Sequence, residues 1–343
     1  MSAPAAERTA VALLNDRSLV LVAEGDTRRM TEPWVPRYRA RLDGGGDGGG
    51  GGARDAAAVI RVVPDGGAGV RAPEGVRRTF VLDTIEAWVD DEARTVTMAS
   101  VVSGAAGTID LGARRATLGP GEPRAGVEIA RVAWDVYSML TASAALLLGR
   151  LGRALAHAGA VVTPGGRGWL LVGDAFAGKS TTCANLITAG WDYVSDDQGV
   201  LSRDESSSSG SGGGSLRIEG WPRTMHMDEA WERGETPLRR RRDFDPSALG
   251  PGRWRPDAPV AGMLFPRVEA QSPTTLHPMQ QGAALAQLLR QTPWLMADRV
   301  AAPAVLAILR AAAALPAYEL RLGLDTYRDG ALLAQRLRVL EKA

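Results

Sequence analysis

The spacing of apolar positions changes near residue 130. Before that point they occur in short runs with partial alternation, most clearly over residues 18–23, 78–82 and 95–102. Alternation with a period of two, bounded by glycine and proline, is typical of short β-strands. We therefore predict that residues 1–130 form a smaller, β-rich N-terminal accessory domain, for which substrate recognition is one candidate role.

After residue 130 the spacing of the apolar residues becomes helical. Residues 134–156 place leucine and alanine on one broad face, which predicts a long helix. Its most apolar part, residues 136–148, is shorter than the roughly 20 residues of a membrane span, so we expect a buried helix and no membrane segment. Further helices are predicted over residues 283–291, 304–315 and 331–340.

Between these helices, one segment alternates between strand and helix. Gly168–Val172 is a short apolar run typical of a buried parallel strand. Residues 179–189 have helical spacing and stop at Gly190, and residues 191–195 form a second short apolar run. Strand, glycine-rich turn, helix and strand predict a β-α-β unit, so residues 131–343 are expected to form an α/β domain.

Two low-complexity segments interrupt this organisation. Residues 43–53 are rich in glycine, and residues 205–215 are mostly serine and glycine. Such segments bury too little apolar surface to offset the entropy lost on ordering, so both are predicted to be flexible loops. The first falls in the N-terminal domain and the second in the α/β domain.

The composition is that of a globular protein, with 45% hydrophobic and 23% charged residues. The 40 basic and 39 acidic side chains nearly cancel, so net charge favours neither nucleic acid nor an anionic membrane as a partner. The single cysteine, Cys183, excludes an intramolecular disulfide. Because the N-terminus also lacks the pattern of a secretion signal, we expect a cytoplasmic protein.

The turn after Gly168–Val172 carries the most specific chemistry. Residues 173–180 read Gly-Asp-Ala-Phe-Ala-Gly-Lys-Ser and match the P-loop (Walker A) pattern in full. The glycines let the backbone curl so that successive N–H groups point at phosphate oxygens. Lys179 would place its charge on the β- and γ-phosphates, and the Ser180 hydroxyl would ligate Mg²⁺. ATP and Mg²⁺ are therefore the predicted cofactors, bound by Gly173, Asp174, Ala175, Phe176, Ala177, Gly178, Lys179, Ser180 and Thr181.

Two adjacent carboxylates, Asp196 and Asp197, follow the second strand of the β-α-β unit. In an open α/β sheet, ligands bind where the strands end. One carboxylate there can help to hold Mg²⁺ and the other can accept the proton of an attacking hydroxyl. The alternative is a turn at the end of the strand that leads into Gly199.

These segments together resemble the HPr kinase/phosphorylase family, whose P-loop fold is related to that of phosphoenolpyruvate (PEP) carboxykinase. The shared pattern is a histidine that opens a strand, here His157, followed by the loop at residues 173–180, a helix and the pair Asp196-Asp197. The similarity covers about residues 150–205, continues more weakly to the C-terminus and is absent before about residue 130. It implies that residues 131–343 are a P-loop catalytic domain of the HPr kinase/PEP carboxykinase-like type.

The resemblance also implies roles for individual residues. Asp196 would be the general base toward a serine hydroxyl, Asp197 and Ser180 would serve the metal, and His157 would lie beside the phosphates. Glu219, in the segment Arg-Ile-Glu-Gly, is the nearest match to a third metal ligand of the family. The chain departs from the family in the loop, where Phe176-Ala177 replaces a middle glycine.

We therefore expect an ATP-dependent kinase that transfers the γ-phosphoryl group to a serine-type hydroxyl of a protein or peptide, with a natural-product precursor peptide as one candidate. Two alternatives stay open. One is a nucleotide-dependent ATPase, switch or binding module without acceptor phosphorylation. The other is a small-molecule kinase, for which residues 239–242, four arginines, are the candidate lid. The resemblance also allows a homo-oligomer.

Overall fold

The computed structural model describes residues 8–27, 30, 56–76, 78–122, 124–204, 215–221, 225–229, 231 and 241–341. These residues form a mixed α/β structure with five α-helices and several sheets. The contacts divide the chain into two compact units, Met1–Gly152 with Pro293–Pro303, and Arg153–Thr292 with Ala304–Ala343. The predicted flexible loops at residues 43–53 and 205–215 lie outside the described residues, apart from Ser215.

The first unit is built on an eight-stranded sheet with the strand order β1-β2-β3-β8-β7-β6-β5-β4. Strands β4 to β8 form an antiparallel meander, whereas β2, β3 and β8 pair in parallel. This unit is therefore rich in β-structure. Its strands are β1 (Arg8–Ala12), β2 (Leu19–Glu24), β3 (Ala58–Val62), β4 (Arg78–Leu82), β5 (Ile85–Asp90), β6 (Thr95–Ser100), β7 (Ala106–Asp110) and β8 (Arg115–Gly119).

Helix α1 (Ile129–Arg150) packs on the sheet of the first unit, against β3, β5, β7 and β8. Its length and composition would suffice to cross a membrane, but 83% of its apolar window is buried inside the structure. The helix was predicted over residues 134–156. It ends at Arg150 because Gly152 adopts φ = +70° and the residues that follow begin a strand. The contacts divide the two units directly after this glycine.

A buried carboxylate ties α1 to the sheet. Asp135 is fully buried and accepts hydrogen bonds from the hydroxyls of Thr84, Ser100 and Ser103 at 2.9, 2.5 and 2.6 Å. Arg131, one helical turn earlier, pairs with it at 2.8 Å. Burial raises the pKa of Asp135, but the hydrogen bonds from Ser100, Ser103, Thr84 and Arg131 outweigh that effect, so its pKa lies below the ordinary value.

The second unit contains a nine-stranded sheet with the order β12-β10-β11-β17-β14-β13-β9, to which β19 adds beside β17 and β18 beside β19. A separate pair joins β15 to β16. The strands are β9 (Ala154–Ala156), β10 (Ala158–Val162), β11 (Gly168–Val172), β12 (Asp192–Ser195), β13 (Gly199–Arg203), β14 (Leu216–Gly220), β15 (Met225–Asp228), β16 (Arg241–Phe244), β17 (Asp257–Val268), β18 (Thr275–Pro278) and β19 (Ala317–Leu322). The remaining helices are α2 (Lys179–Thr188), α3 (Gln281–Arg290), α4 (Ala302–Ala313) and α5 (Gly330–Arg336).

Strands β11 and β12 are joined by α2, as predicted, but they are not neighbours in the sheet. Strand β10 lies between them and runs antiparallel to both, whereas β11, β17 and β19 pair in parallel. The two parallel strands and their helix therefore form a β-α-β unit that is split by β10, and the sheet is mixed. The cause is the short hairpin through residues 163–167, which brings β10 directly beside β11.

Candidate active site

The strand directions bring five chain segments to one edge of the sheet. Strands β11, β12, β17 and β19 run the same way, so their carboxyl ends meet there. Strand β10 runs the opposite way, so its first residue lies at that same edge. The edge thereby brings together His157, which precedes β10, and the residues that follow β11 and β12. These residues are far apart in the sequence. This edge is where ligands bind in open α/β sheets.

The loop after β11 turns sharply into α2. Gly178 adopts φ = +103°, and a Cβ atom there would lie 2.7 Å from the Leu322 side chain. Phe176 also adopts a left-handed conformation, with φ = +65°. This conformation costs a non-glycine residue about 1–2 kcal/mol. A phenylalanine here thus takes a conformation that glycine adopts more easily, while the residue is 64% exposed.

Lys179 lies across the loop. Its side chain is buried, and its Nζ donates hydrogen bonds to the carbonyl oxygens of Gly173 at 2.6 Å and Asp174 at 3.1 Å. The same residue begins α2, whose unpaired N–H groups and dipole concentrate positive charge at this point. A loop, a lysine and a helix N-terminus thus present positive potential on one side of the site.

A cavity of about 370 Å³ opens beside the loop. One wall is formed by the loop and the first turn of α2, and another carries Val268, Leu322 and Leu324. Of the predicted site residues, the cavity is lined by His157, Ala175, Phe176, Gly178, Lys179, Ser180, Thr181 and Asp197. Among the site residues within the described part of the chain, Gly173, Asp174, Ala177, Asp196 and Glu219 are not in its lining.

His157 and Asp197 form a pair at this cavity. His157 Nε2 lies 2.9 Å from Asp197 Oδ1, and the two side chains are 30% and 21% exposed. Each is therefore held by the other and still reaches the cavity. The structure brings a carboxylate and an imidazole close to the residues that the P-loop pattern singled out.

Asp196, the residue expected to be the general base, is placed differently. It is only 1% exposed. Its Oδ1 accepts a hydrogen bond from the Tyr193 hydroxyl at 3.3 Å, and its Oδ2 accepts one from the backbone N–H of His226 at 3.2 Å. Of the two adjacent carboxylates, it is Asp197 that faces the cavity, and Asp196 is enclosed by protein groups.

Glu219, the expected third metal ligand, lies in β14 opposite Val200 and is not part of the cavity wall. Within the described ranges, no group of three or more His, Cys, Asp or Glu side chains could hold a metal ion. The Ser180 hydroxyl does line the cavity, and a hard oxygen donor of this kind is a ligand that Mg²⁺ takes together with substrate oxygens. The residues present therefore fit a nucleotide-bound Mg²⁺ better than a cage built by the protein alone.

Cys183 lies directly under the site but is not a candidate nucleophile. Burial raises the pKa of its thiol well above the ordinary value, and the nearby Asp196 carboxylate raises it further against an opposing effect of Lys179. The side chain is completely buried. It therefore remains a neutral thiol and packs as a small apolar group.

The sequence motifs did not indicate that Gln291 and Arg290 belong to the site. Both side chains contact the loop. Arg290 pairs with Asp174 Oδ2 at 2.7 Å, and the Gln291 Nε2 donates to Asp174 Oδ1 at 2.8 Å. Gln291 Oε1 lies 2.9 Å from His157 Nδ1. Since more than a hundred residues separate Gln291 from either partner, no local sequence signal could have found these contacts.

No protein-family model matches the chain, and no curated protein matches it. Among solved structures, the chain is similar to the Hpr(Ser) kinase/phosphatase from Coxiella burnetii, with 14% sequence identity and a TM-score of 0.30, over 54% of this chain and 94% of that one. That enzyme is a weak structural neighbour, and membership of its family stays a prediction.

Proposed function

We propose that the second unit binds ATP at residues 173–180 and transfers its γ-phosphoryl group to a hydroxyl. One observation carries the proposal: a single cavity joins the loop and Lys179 on one side to the His157–Asp197 pair on another. Phosphoryl transfer needs both parts, since one must hold the polyphosphate and the other must handle the proton of the attacking hydroxyl.

The phosphate-binding half of the proposal rests on the loop and α2. Left-handed turns at Phe176 and Gly178 curl the backbone, and the helix N-terminus supplies N–H donors and a positive dipole. Lys179 would exchange its contacts with the loop carbonyl oxygens for contacts with phosphate oxygens. Ser180 would hold Mg²⁺, and the ion would neutralise charge on the β- and γ-phosphates.

The proton-handling half rests on Asp197 and not on Asp196. A base has to reach the proton that it removes, and Asp197 lines the cavity whereas Asp196 is buried. In the proposed step, the O–H proton of the acceptor passes to the Asp197 carboxylate as the oxygen forms its bond to the γ-phosphorus. The bond from that phosphorus to the bridging oxygen breaks, and ADP leaves. His157, held against Asp197, would orient the carboxylate and lie near the transferring charge.

Binding is tested by calorimetric titration of ATP·Mg²⁺ into the wild type and into Lys179→Ala. Loss of charge-assisted hydrogen bonds worth about 1.5–3 kcal/mol predicts an affinity lower by roughly 10- to 100-fold. Arg299→Ala, which removes a positive charge at an 81% exposed side chain of the first unit, is the matched control and should bind as the wild type does. Equal ATP affinity in Lys179→Ala would refute the assignment of the phosphate site.

Transfer is tested by incubating the full chain with ATP·Mg²⁺ and serine-containing proteins or peptides, with alanine-for-serine versions as controls. The proposal expects intact-mass spectra in which a serine-containing acceptor, and not its alanine version, gains one phosphate. Consumption of ATP with no phosphorylated acceptor would support a nucleotide-dependent switch instead. Phosphate on an added small alcohol alone would support a small-molecule kinase.

A further inference from the structure

A continuous line of hydrogen bonds connects the loop to the His157–Asp197 pair. It runs from Asp174 Oδ1 to Gln291 Nε2 at 2.8 Å, from Gln291 Oε1 to His157 Nδ1 at 2.9 Å, and from His157 Nε2 to Asp197 Oδ1 at 2.9 Å. The backbone carbonyl of Gln291 also accepts from the His157 N–H at 3.3 Å. Gln291 is only 4% exposed, so this side chain is enclosed between its partners.

The partners determine which way the Gln291 amide points. The Asp174 carboxylate can only accept hydrogen bonds, so the group that faces it must be the amide nitrogen. The amide oxygen then faces the imidazole. Because that oxygen can only accept, Nδ1 of His157 has to carry a proton. Gln291 therefore selects the form of the ring that is protonated at Nδ1.

This choice affects the other side of the ring. With Nδ1 protonated, Nε2 of a neutral ring would be an acceptor that faces the Asp197 carboxylate, which is also an acceptor. The 2.9 Å contact between them is a hydrogen bond when Nε2 carries a proton as well and donates to Oδ1 of the ionised carboxylate. The hydrogen bond from Gln291 thus orients the ring against the carboxylate that we assign as the base.

We propose that Gln291 is a positioning residue. Through its hydrogen bond to Asp174, it aligns His157 and Asp197 with the phosphate-binding loop. The consequence for catalysis rests on the proposed function. The hydrogen-bond arrangement does not depend on that function. Asp174 is the second residue of the loop, so the position of the loop is transmitted directly to the pair that handles the proton. A purely structural role, such as ending α3, would affect stability and leave the tautomer of His157 unchanged.

Two substitutions separate the contacts of Gln291. Gln291→Glu keeps an acceptor for His157 Nδ1 and replaces the donor to Asp174 by a second carboxylate. Gln291→Leu removes both contacts at a similar volume. Gln280→Leu, at the exposed other end of the same helix, where the side chain makes no capping hydrogen bond, is the matched control.

The first measurement is long-range proton–nitrogen NMR of the histidine rings in the full chain without nucleotide. The chain has three histidines, so substituting the other two assigns His157. We expect Nδ1 of His157 to be protonated in the wild type, in Gln291→Glu and in Gln280→Leu. In Gln291→Leu we expect the neutral form protonated at Nε2 to appear. A wild-type ring that is neutral and protonated at Nε2 alone would overturn the proposal.

The second measurement is the turnover of ATP·Mg²⁺ with water as the acceptor, together with ATP affinity by calorimetry. Misplacing the pair should lower kcat about 100-fold in Gln291→Leu. ATP affinity in Gln291→Leu should change less than threefold, and Gln280→Leu should match the wild type. Unchanged kcat in Gln291→Leu would refute the positioning role. If the wild type binds no ATP while the NMR result holds, the proposed function fails and the hydrogen-bond assignment survives.

Discussion

The two neighbouring carboxylates predict opposite phenotypes. In Asp197→Asn, the amide cannot accept the proton of an attacking hydroxyl. General base catalysis contributes about 10²- to 10⁴-fold, so kcat for ATP turnover should fall by that factor. ATP affinity should stay within a few-fold of the wild type, because Asp197 lies opposite the loop and not within it. This side chain is 21% exposed, so its substitution should change stability less than substitution of the buried Asp196.

Asp196→Asn should behave in the reverse way. The buried carboxylate accepts hydrogen bonds from Tyr193 and from the backbone N–H of His226 on its two oxygens. An amide can keep its oxygen on the His226 N–H and turn its N–H₂ group toward the Tyr193 hydroxyl, which then accepts. Both hydrogen bonds lose the assistance of the carboxylate charge, which costs about 1–3 kcal/mol of stability. We therefore expect a lower unfolding midpoint with kcat largely retained below that midpoint.

The assay pairs urea unfolding, followed by tryptophan fluorescence, with initial rates of ATP turnover well below each variant's midpoint. The wild type and both variants are compared at the same nucleotide saturation, so that a difference in affinity cannot imitate a difference in kcat. If Asp196→Asn abolishes turnover at full stability and Asp197→Asn turns over normally, the reasoning from burial is refuted. The base would then be the residue that the family resemblance implies.

The other predictions concern the backbone of the loop and the buried carboxylate of the first unit. Gly178→Ala should reduce ATP affinity at least tenfold by calorimetry, because a Cβ at φ = +103° would meet Leu322 at 2.7 Å, and wild-type affinity would contradict this. Phe176→Gly should raise the stability of the second unit by up to about 1.5 kcal/mol in urea unfolding, since it relieves left-handed strain of about 1–2 kcal/mol against a glycine entropy cost of roughly 0.5–1 kcal/mol. A loss of stability would show that the ring contributes more than the strain costs. Asp135 has a folded-state pKa below 3.8, so its stabilising effect is present above that pH and is lost as pH falls through the lower folded value. Asp135→Asn should accordingly be less stable near neutral pH and lose less stability on acidification than the wild type, and parallel acid-unfolding curves would argue against this account.

Local sequence patterns were sufficient for the loop and its helix. Gly168–Val172 was predicted to be a strand with the bounds that the structure has, and α2 begins at Lys179 as expected. Both follow from local sequence. Residues only a few positions apart specify the apolar strand, the glycine turn and the apolar face of the helix. The strand order of the sheet is a different matter. The hairpin of β10 and β11 is local, but the pairing of β10 with β12 and of β11 with β17 joins segments that are distant in the sequence.

By itself, the sequence determined that residues 173–178 form a turn between a strand and a helix, and that two carboxylates follow the next strand. Only the tertiary structure decided which carboxylate faces the cavity, because neighbouring residues at a strand end point to opposite sides and the pattern does not say which side holds the ligand. The same holds for Gln291, which reaches His157 from a helix end more than a hundred residues away. Contacts of that kind arise from the packing of whole elements at one sheet edge, and no short segment encodes them.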